Sequence, residues 1–175
     1  MCEEGARTVS RPTRRRPTTD AGGCGGRQYS CRMTEETRRP TTVSIARTAS
    51  KAFTATNARG GTISIGSGDS DDFTPVELLL VAIGACSAID VDIVTTRRVE
   101  PDTFDVDVNA DRVKDADGNR VDNIEVDFLL RFPEGEDGDR ARKLIDRAIA
   151  SAHDKLCTVS RTVELGTPVA MRSVD

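Results

Sequence analysis

A chain of 175 residues with 37% hydrophobic and 31% charged residues has the length for one domain plus an extra segment, and its core must be aliphatic because aromatics are only 3%. The net charge of −4 is uneven: residues 1–40 carry nine Arg against five acidic residues, whereas residues 41–175 carry 16 basic and 24 acidic ones. The acidic balance of the later part argues against nucleic acid as its main partner, since phosphate binding needs clustered Lys and Arg.

Residues 1–40 read as a disordered tail. RPTRRRPTTDAGGCGGRQ is rich in Arg, Pro, Thr and Gly and has no apolar periodicity. Cys2, Cys24 and Cys31 lack paired metal-ligand spacing. The Arg run could serve as an arm for anionic surfaces, and Met33 could be the natural start. No apolar h-region follows the first charges, so a secretory signal is not expected.

From residue 41 the pattern becomes ordered. TTVSIAR alternates apolar and polar residues as a half-buried strand does. KAFTATN, a turn at residues 59–61 and TISIG complete a small antiparallel meander. GSGDSDDF is a loop, and Thr74-Pro75 reads as an N-cap followed by Pro at the first helical position. A helix is expected from there to about Arg97, apolar nearly all round over residues 78–89. That run is shorter than the ~18 apolar residues of a membrane span, and Glu77, Asp90 and Asp92 flank it. A cytoplasmic, reducing setting is therefore expected, in which five cysteines suggest thiol chemistry or metal more than a disulfide framework.

Residues 103–113 and 121–132 alternate and should form a hairpin about a turn at 115–119. PEGEDGD reads as a loop, and residues 140–149 open an amphipathic helix with Leu144, Ile145, Ala148 and Ile149 inward. TVSRTVEL reads as a helical turn or two, and TPVAMRSV as a closing strand. The predicted class is α+β, with antiparallel strands and two main helices. A domain of about 135 residues has trouble covering one helix on all sides, so a homodimer is expected to cover the rest. Gly84, Ala85 and Ala88 would permit close approach of another backbone.

Two cysteines fall in the ordered part. Cys86 could be a small packing group or a reagent. Asp90, one helical turn on, is costly in so apolar a stretch unless it is paired with a cation, and such an Arg would also favour a thiolate at Cys86. Cys157 is either a half-buried loop residue or the start of a short helix, where unpaired amides favour the thiolate of an attacking or resolving thiol. His153 could join Cys157 and Cys86 at a metal, but a lone His at a helix end is more often a surface residue.

TPVELLLVAIGACSAIDV, residues 74–91, and KLCTVS, residues 155–160, resemble the first and second cysteine motifs of the OsmC/Ohr family, with wording nearest to its YhfA-like branch. The likeness covers roughly residues 41–175, including element order. It implies an OsmC-like fold with antiparallel sheets around two central helices, in an interlocked homodimer. It also implies thiol-dependent reduction of organic hydroperoxides without metal or organic cofactor: Cys86 attacks, Cys157 closes a disulfide, and an external thiol or dihydrolipoyl donor resets the pair. The best-characterised branches carry a Glu directly after the Pro of the first motif, paired with an Arg. Val76 stands there in this chain, and Glu77, nine residues before Cys86, falls on the opposite helix face. Arg47 and Arg59 are the candidates for the arginine. A non-enzymatic relative, a redox sensor or binder of a small apolar ligand, is the alternative.

Overall fold

The computed structural model describes residues 37–174. The expected tail up to residue 36, with Met33, Cys2, Cys24 and Cys31, lies outside the described residues.

Three short strands come first: β1 (Val43–Ala49), β2 (Ala52–Asn57) and β3 (Thr62–Ile65), antiparallel in the order β1-β2-β3. Ile45 pairs with Ala55, and Ala55 with Ile63, so the middle of one face of the sheet is apolar, with Asn57 and Arg47 toward its ends. In a single chain that face is uncovered; Ile45 is 62% exposed and Val43 61%.

Helix α1 (Pro75–Thr95) follows after an isolated bridge between Ile65 and Phe73. Its start is fixed by a capping box. The Glu77 amide donates to Thr74 Oγ1 at 3.3 Å, and the Thr74 amide donates to Glu77 Oε2 at 2.7 Å. By length and composition alone, the 21 residues of α1 could cross a membrane, which a reading of the uninterrupted run 78–89 does not reveal. Here α1 is instead the central helix, packed on the strand β4 that follows.

The long hairpin consists of β4 (Thr103–Asp115) and β5 (Gly118–Arg131), closed where Asp115 pairs with Gly118. Gly118 has φ of +128°, a backbone state for which glycine is suited. Then come α2 (Glu136–Arg142), α3 (Ile145–Ser151), one π-helical turn (Ala152–Leu156) and α4 (Thr158–Glu164). The core is small. Val91 of α1 meets Ala148 and Ala152, with Val94, Phe104, Phe128, Leu130 and Ile149 around them. Ala148 and Ile149 thus face inward as expected.

Three expectations are corrected. Residues 133–139 are not all loop, because α2 begins at Glu136, with Glu136, Asp137 and Asp139 favouring its positive end. The second helix is not continuous, since α2 and α3 are separate and a π-turn follows. Residues 167–174 form no strand: Val169 is 80% exposed, and among the described residues no strand pairs with this segment.

Candidate active site

Cys86 lies on α1, half-buried, and Cys157 is carried to it by the π-turn and α4. Both are free thiols, and they lie near enough for each to shift the titration of the other. Cys157 is 1% exposed and sits at the N-cap of α4. Its sulfur accepts the Ser160 amide at 3.4 Å and lies 3.1 Å from Ser160 Oγ. The Cys-x-x-Ser spacing thus works as the first half of a capping box, with sulfur in place of oxygen.

Burial on its own would raise the Cys157 pKa, but the Ser160 hydroxyl, Ser87, the Ser160 amide and Cys86 outweigh it and bring the thiol down to about 7. Cys86 moves the other way. Burial raises it, and the neighbouring Cys157 sulfur adds to that, against the amides of Val159 and Thr158. The two directions favour a thiolate at Cys157 over one at Cys86. Ser87 is the less committed partner: its one hydroxyl proton already goes to the Ile83 carbonyl at 3.1 Å. The same carbonyl is 4.0 Å from Cys157 Sγ.

Ile83 and Ser160 also line a cleft of about 310 Å³ with Val121, Ile124, Val126 and Val163. Asp122, Asn123, His153 and Glu164 line it as well, so the cleft is mixed in character and borders the site through Ser160. A second cleft, of about 500 Å³, follows the Leu80, Val81, Ala85 and Ala88 face of α1. It holds neither sulfur.

Of the other candidate residues, His153 is within electrostatic reach of Cys157, which adds to the rise of the histidine pKa. Arg47 is on β1 and exposed; Arg59 is in the β2–β3 turn, where its amide donates to Asn57 Oδ1. No arginine is among the groups that shift either thiol. Asp90 is half-buried one turn beyond Cys86, and among the described residues it makes no ion pair. Glu77 is committed to the helix cap, which holds its carboxyl below the usual range. Val76 lines a cleft together with Val113 and Val121 of the hairpin. His153 is exposed, Nδ1 at 3.1 Å from Asp154 and Nε2 at 3.2 Å from Glu164. Among the described residues no cluster of three His, Cys, Asp or Glu side chains is arranged to hold a metal.

The sequence reading missed Ser87 and Ser160. The signal for Ser160 was its position three residues after a Cys expected at a helix start, the spacing of a reciprocal cap. Ser87 carried no signal beyond its place next to Cys86.

Comparison with known proteins gives a consistent picture. The model of the family described as OsmC-like protein matches residues 67–172. An uncharacterized protein of Mycobacterium tuberculosis strain H37Rv is 33% identical over 132 residues, covering 75% of this chain and 94% of its own. Among solved structures, an OsmC-like protein of unknown function from Vibrio cholerae aligns with TM-score 0.60 at 13% identity, covering 73% of this chain and 95% of that one. An OsmC-like protein from Mycoplasma pneumoniae aligns with TM-score 0.58 at 15% identity, covering 73% and 89%. At such identities the structural matches speak to the fold alone.

Proposed function

Since the chain belongs to the OsmC-like family, we propose that it reduces organic hydroperoxides by thiol chemistry at Cys86 and Cys157. One observation carries this reading: two cysteines from distant parts of the chain lie near each other, and the sulfur of the second is met by the Ser160 amide at 3.4 Å and the Ser160 hydroxyl at 3.1 Å. Packing alone would not call for so many donors around one sulfur.

The half-buried Cys86 is the sulfur the peroxide meets, and the enclosed Cys157 is the one that closes the disulfide. Cys86 sulfur takes the terminal peroxide oxygen, the O–O bond breaks, and an alcohol leaves after protonation. Cys157 then displaces hydroxide from the sulfenic acid and forms the disulfide. An external thiol, for example a dihydrolipoyl donor, returns both sulfurs to thiols and is itself oxidised. A reducing cytoplasm would keep the resting pair in this state.

The functional unit of this reading is an interlocked homodimer. Ile89 is 61% exposed and Ile93 57% on the central helix, and the apolar face of β1 is bare. A half-buried Asp90 without a cation is costly, and a partner arginine would relieve it. Arg47 and Arg59, on the projecting sheet, are the arginines to supply it.

A second reading is favoured by Val76, which stands where the family's peroxidases have Glu, and by Glu77 being spent on the cap. In that reading the pair senses oxidant, or the cleft beside Ser160 holds a small ligand, with negligible turnover. Peroxide consumption with dithiothreitol or dihydrolipoate separates the two. Turnover in wild type that disappears in Cys86→Ser is expected. A stoichiometric Cys86–Cys157 disulfide without turnover would make the protein a sensor.

A further inference from the structure

We propose that Ser160 is a positioning residue of the cysteine pair: it holds the negative charge on Cys157, so that Cys157 first accepts the Cys86 proton and then closes the disulfide. This rests on the peroxidase reading above and adds to it a residue that stands in for the missing glutamate.

The argument is geometric. Ser160 meets one sulfur twice: its amide donates at 3.4 Å and its hydroxyl oxygen lies 3.1 Å away. Ser87, the other hydroxyl nearby, is engaged with the Ile83 carbonyl. Among the described residues no arginine or lysine is among the groups that shift either thiol, so within one chain the Cys157 sulfur is met chiefly by hydrogen bonds. Cys157 is enclosed, so a charge held there is protected from peroxide and from random oxidants while remaining near Cys86.

The proton and electron balance follows. The resting pair is Cys86–SH with Cys157–S⁻. As Cys86 sulfur attacks the peroxide, its proton passes to Cys157, and an alkoxide leaves from the broken O–O bond. Cys157–SH gives that proton to the alkoxide, which departs as alcohol, and Cys157 is again a thiolate. It attacks the Cys86 sulfenic sulfur, the S–O bond breaks, hydroxide leaves, and the disulfide forms. Two electrons have passed from the sulfurs to the peroxide. The proton starts on Cys86 and ends on the alcohol.

Closure by a ready thiolate outruns further oxidation of Cys86; closure by a neutral thiol would not. The experiment uses the full chain and reads Cys86 and Cys157 peptides separately by mass spectrometry, so that the other three cysteines do not interfere. Pulse alkylation with iodoacetamide across pH 5.5 to 9.5 gives the Cys157 midpoint. Ser160→Ala is expected to raise it by roughly one pH unit, and Ser160→Thr to restore it. An unchanged midpoint in Ser160→Ala overturns the proposal. In the second arm, cumene hydroperoxide is added without reductant. Wild type should give the disulfide, Ser160→Ala should accumulate Cys86 sulfinic acid, and Ser160→Thr should return to the disulfide. Equal disulfide yield in Ser160→Ala overturns the closure role. A wild-type Cys86 that resists peroxide sinks the peroxidase reading instead, while the alkylation arm still decides what Ser160 holds. Circular dichroism checks folding, and Ser160→Gly provides a second removal of the hydroxyl.

Discussion

Gly84 on α1 faces Val108 on β4 so closely that a Cβ built on the glycine would lie 2.6 Å from Val108 Cγ2. The central helix lies against the hairpin at this point, two residues before Cys86. The contact therefore sets how far the sulfur stands from the sheet.

Two effects compete when Gly84 becomes alanine. Helix propensity favours alanine by about 1 kcal/mol, and overpacking costs about 1–3 kcal/mol. The approach is tight enough for overpacking to win, so Gly84→Ala should lower the urea midpoint. In a Val108→Ala background the obstructing methyls are gone, and the same change should be neutral or stabilising. A double-mutant cycle measured by urea unfolding checks this; additivity of the two changes would contradict it.

The cap of α1 predicts a pH effect. Glu77 has its pKa lowered by its hydrogen bonds to Thr74, so its contribution is present above the unfolded carboxylate pKa and is lost as pH falls through the lower folded one. Thr74→Ala should cost about 1 kcal/mol at pH 7. Glu77→Gln should flatten the loss of stability on acidification, seen by comparing urea midpoints at pH 7 and near pH 3. A Glu77→Gln acid profile as steep as wild type would mean the cap carboxylate is not the titrating group.

His153 behaves oppositely. A hydrogen bond to Asp154 and the nearby Glu164 raise its pKa, so its contribution is full below the unfolded histidine pKa and is lost as pH rises through the folded one. His153 also ties the π-turn to α4, which carries the Cys157 cap. His153→Ala should therefore lower the thermal midpoint at pH 5.5 and have little effect at pH 8.5. The size will be small, because the pair is exposed and screened. A loss that is equal at both pH values would assign it to packing rather than charge.

The parts legible in the sequence were those where one local rule acts alone. The hairpin was readable because Phe104, Val106 and Val108 alternate in one strand and Ile124, Val126 and Phe128 in the other, with an Asp-Gly turn between the strands. The start of α1 was readable from Thr74-Pro75. The start of α2 was hidden because Gly135 and Gly138 look like loop residues, yet Gly135 turns the chain at φ +118° and Gly138 lies against the Pro133 carbonyl. The strand expected at residues 167–174 failed because alternation offers a face without supplying a neighbour to pair with. At the site, the two cysteines stood out by type. Which of them ionises first depends on Ser160 and on enclosure, and those exist only after α4 has folded against α1.

The exposed apolar faces predict a dimer. Sedimentation should show two chains, and Ile89→Asp or Ile93→Asp should shift the protein toward monomer at micromolar concentration. Each substitution puts a charge on a helix face that is already bare in one chain, so the fold of the single chain should survive. A wild-type monomer with full peroxide turnover would remove the dimer from the account.

If the dimer forms as proposed, the arginine question becomes decidable. Arg47 and Arg59 are both on the three-stranded sheet or its turn, and neither reaches a thiol of its own chain. A guanidinium brought by the partner next to Asp90 would lower the pKa of Cys86, since an opposite charge favours the thiolate. Removing it should raise the Cys86 alkylation midpoint while leaving Cys157, held by Ser160, nearly unchanged. Arg47→Ala and Arg59→Ala are to be measured singly, each against Asp90→Asn. The arginine that matters should shift Cys86 in the same direction as the dimer-breaking Ile93→Asp. If neither arginine moves Cys86, the thiol pair is activated by its serines alone, and Val76 marks a branch of the family that works without the guanidinium.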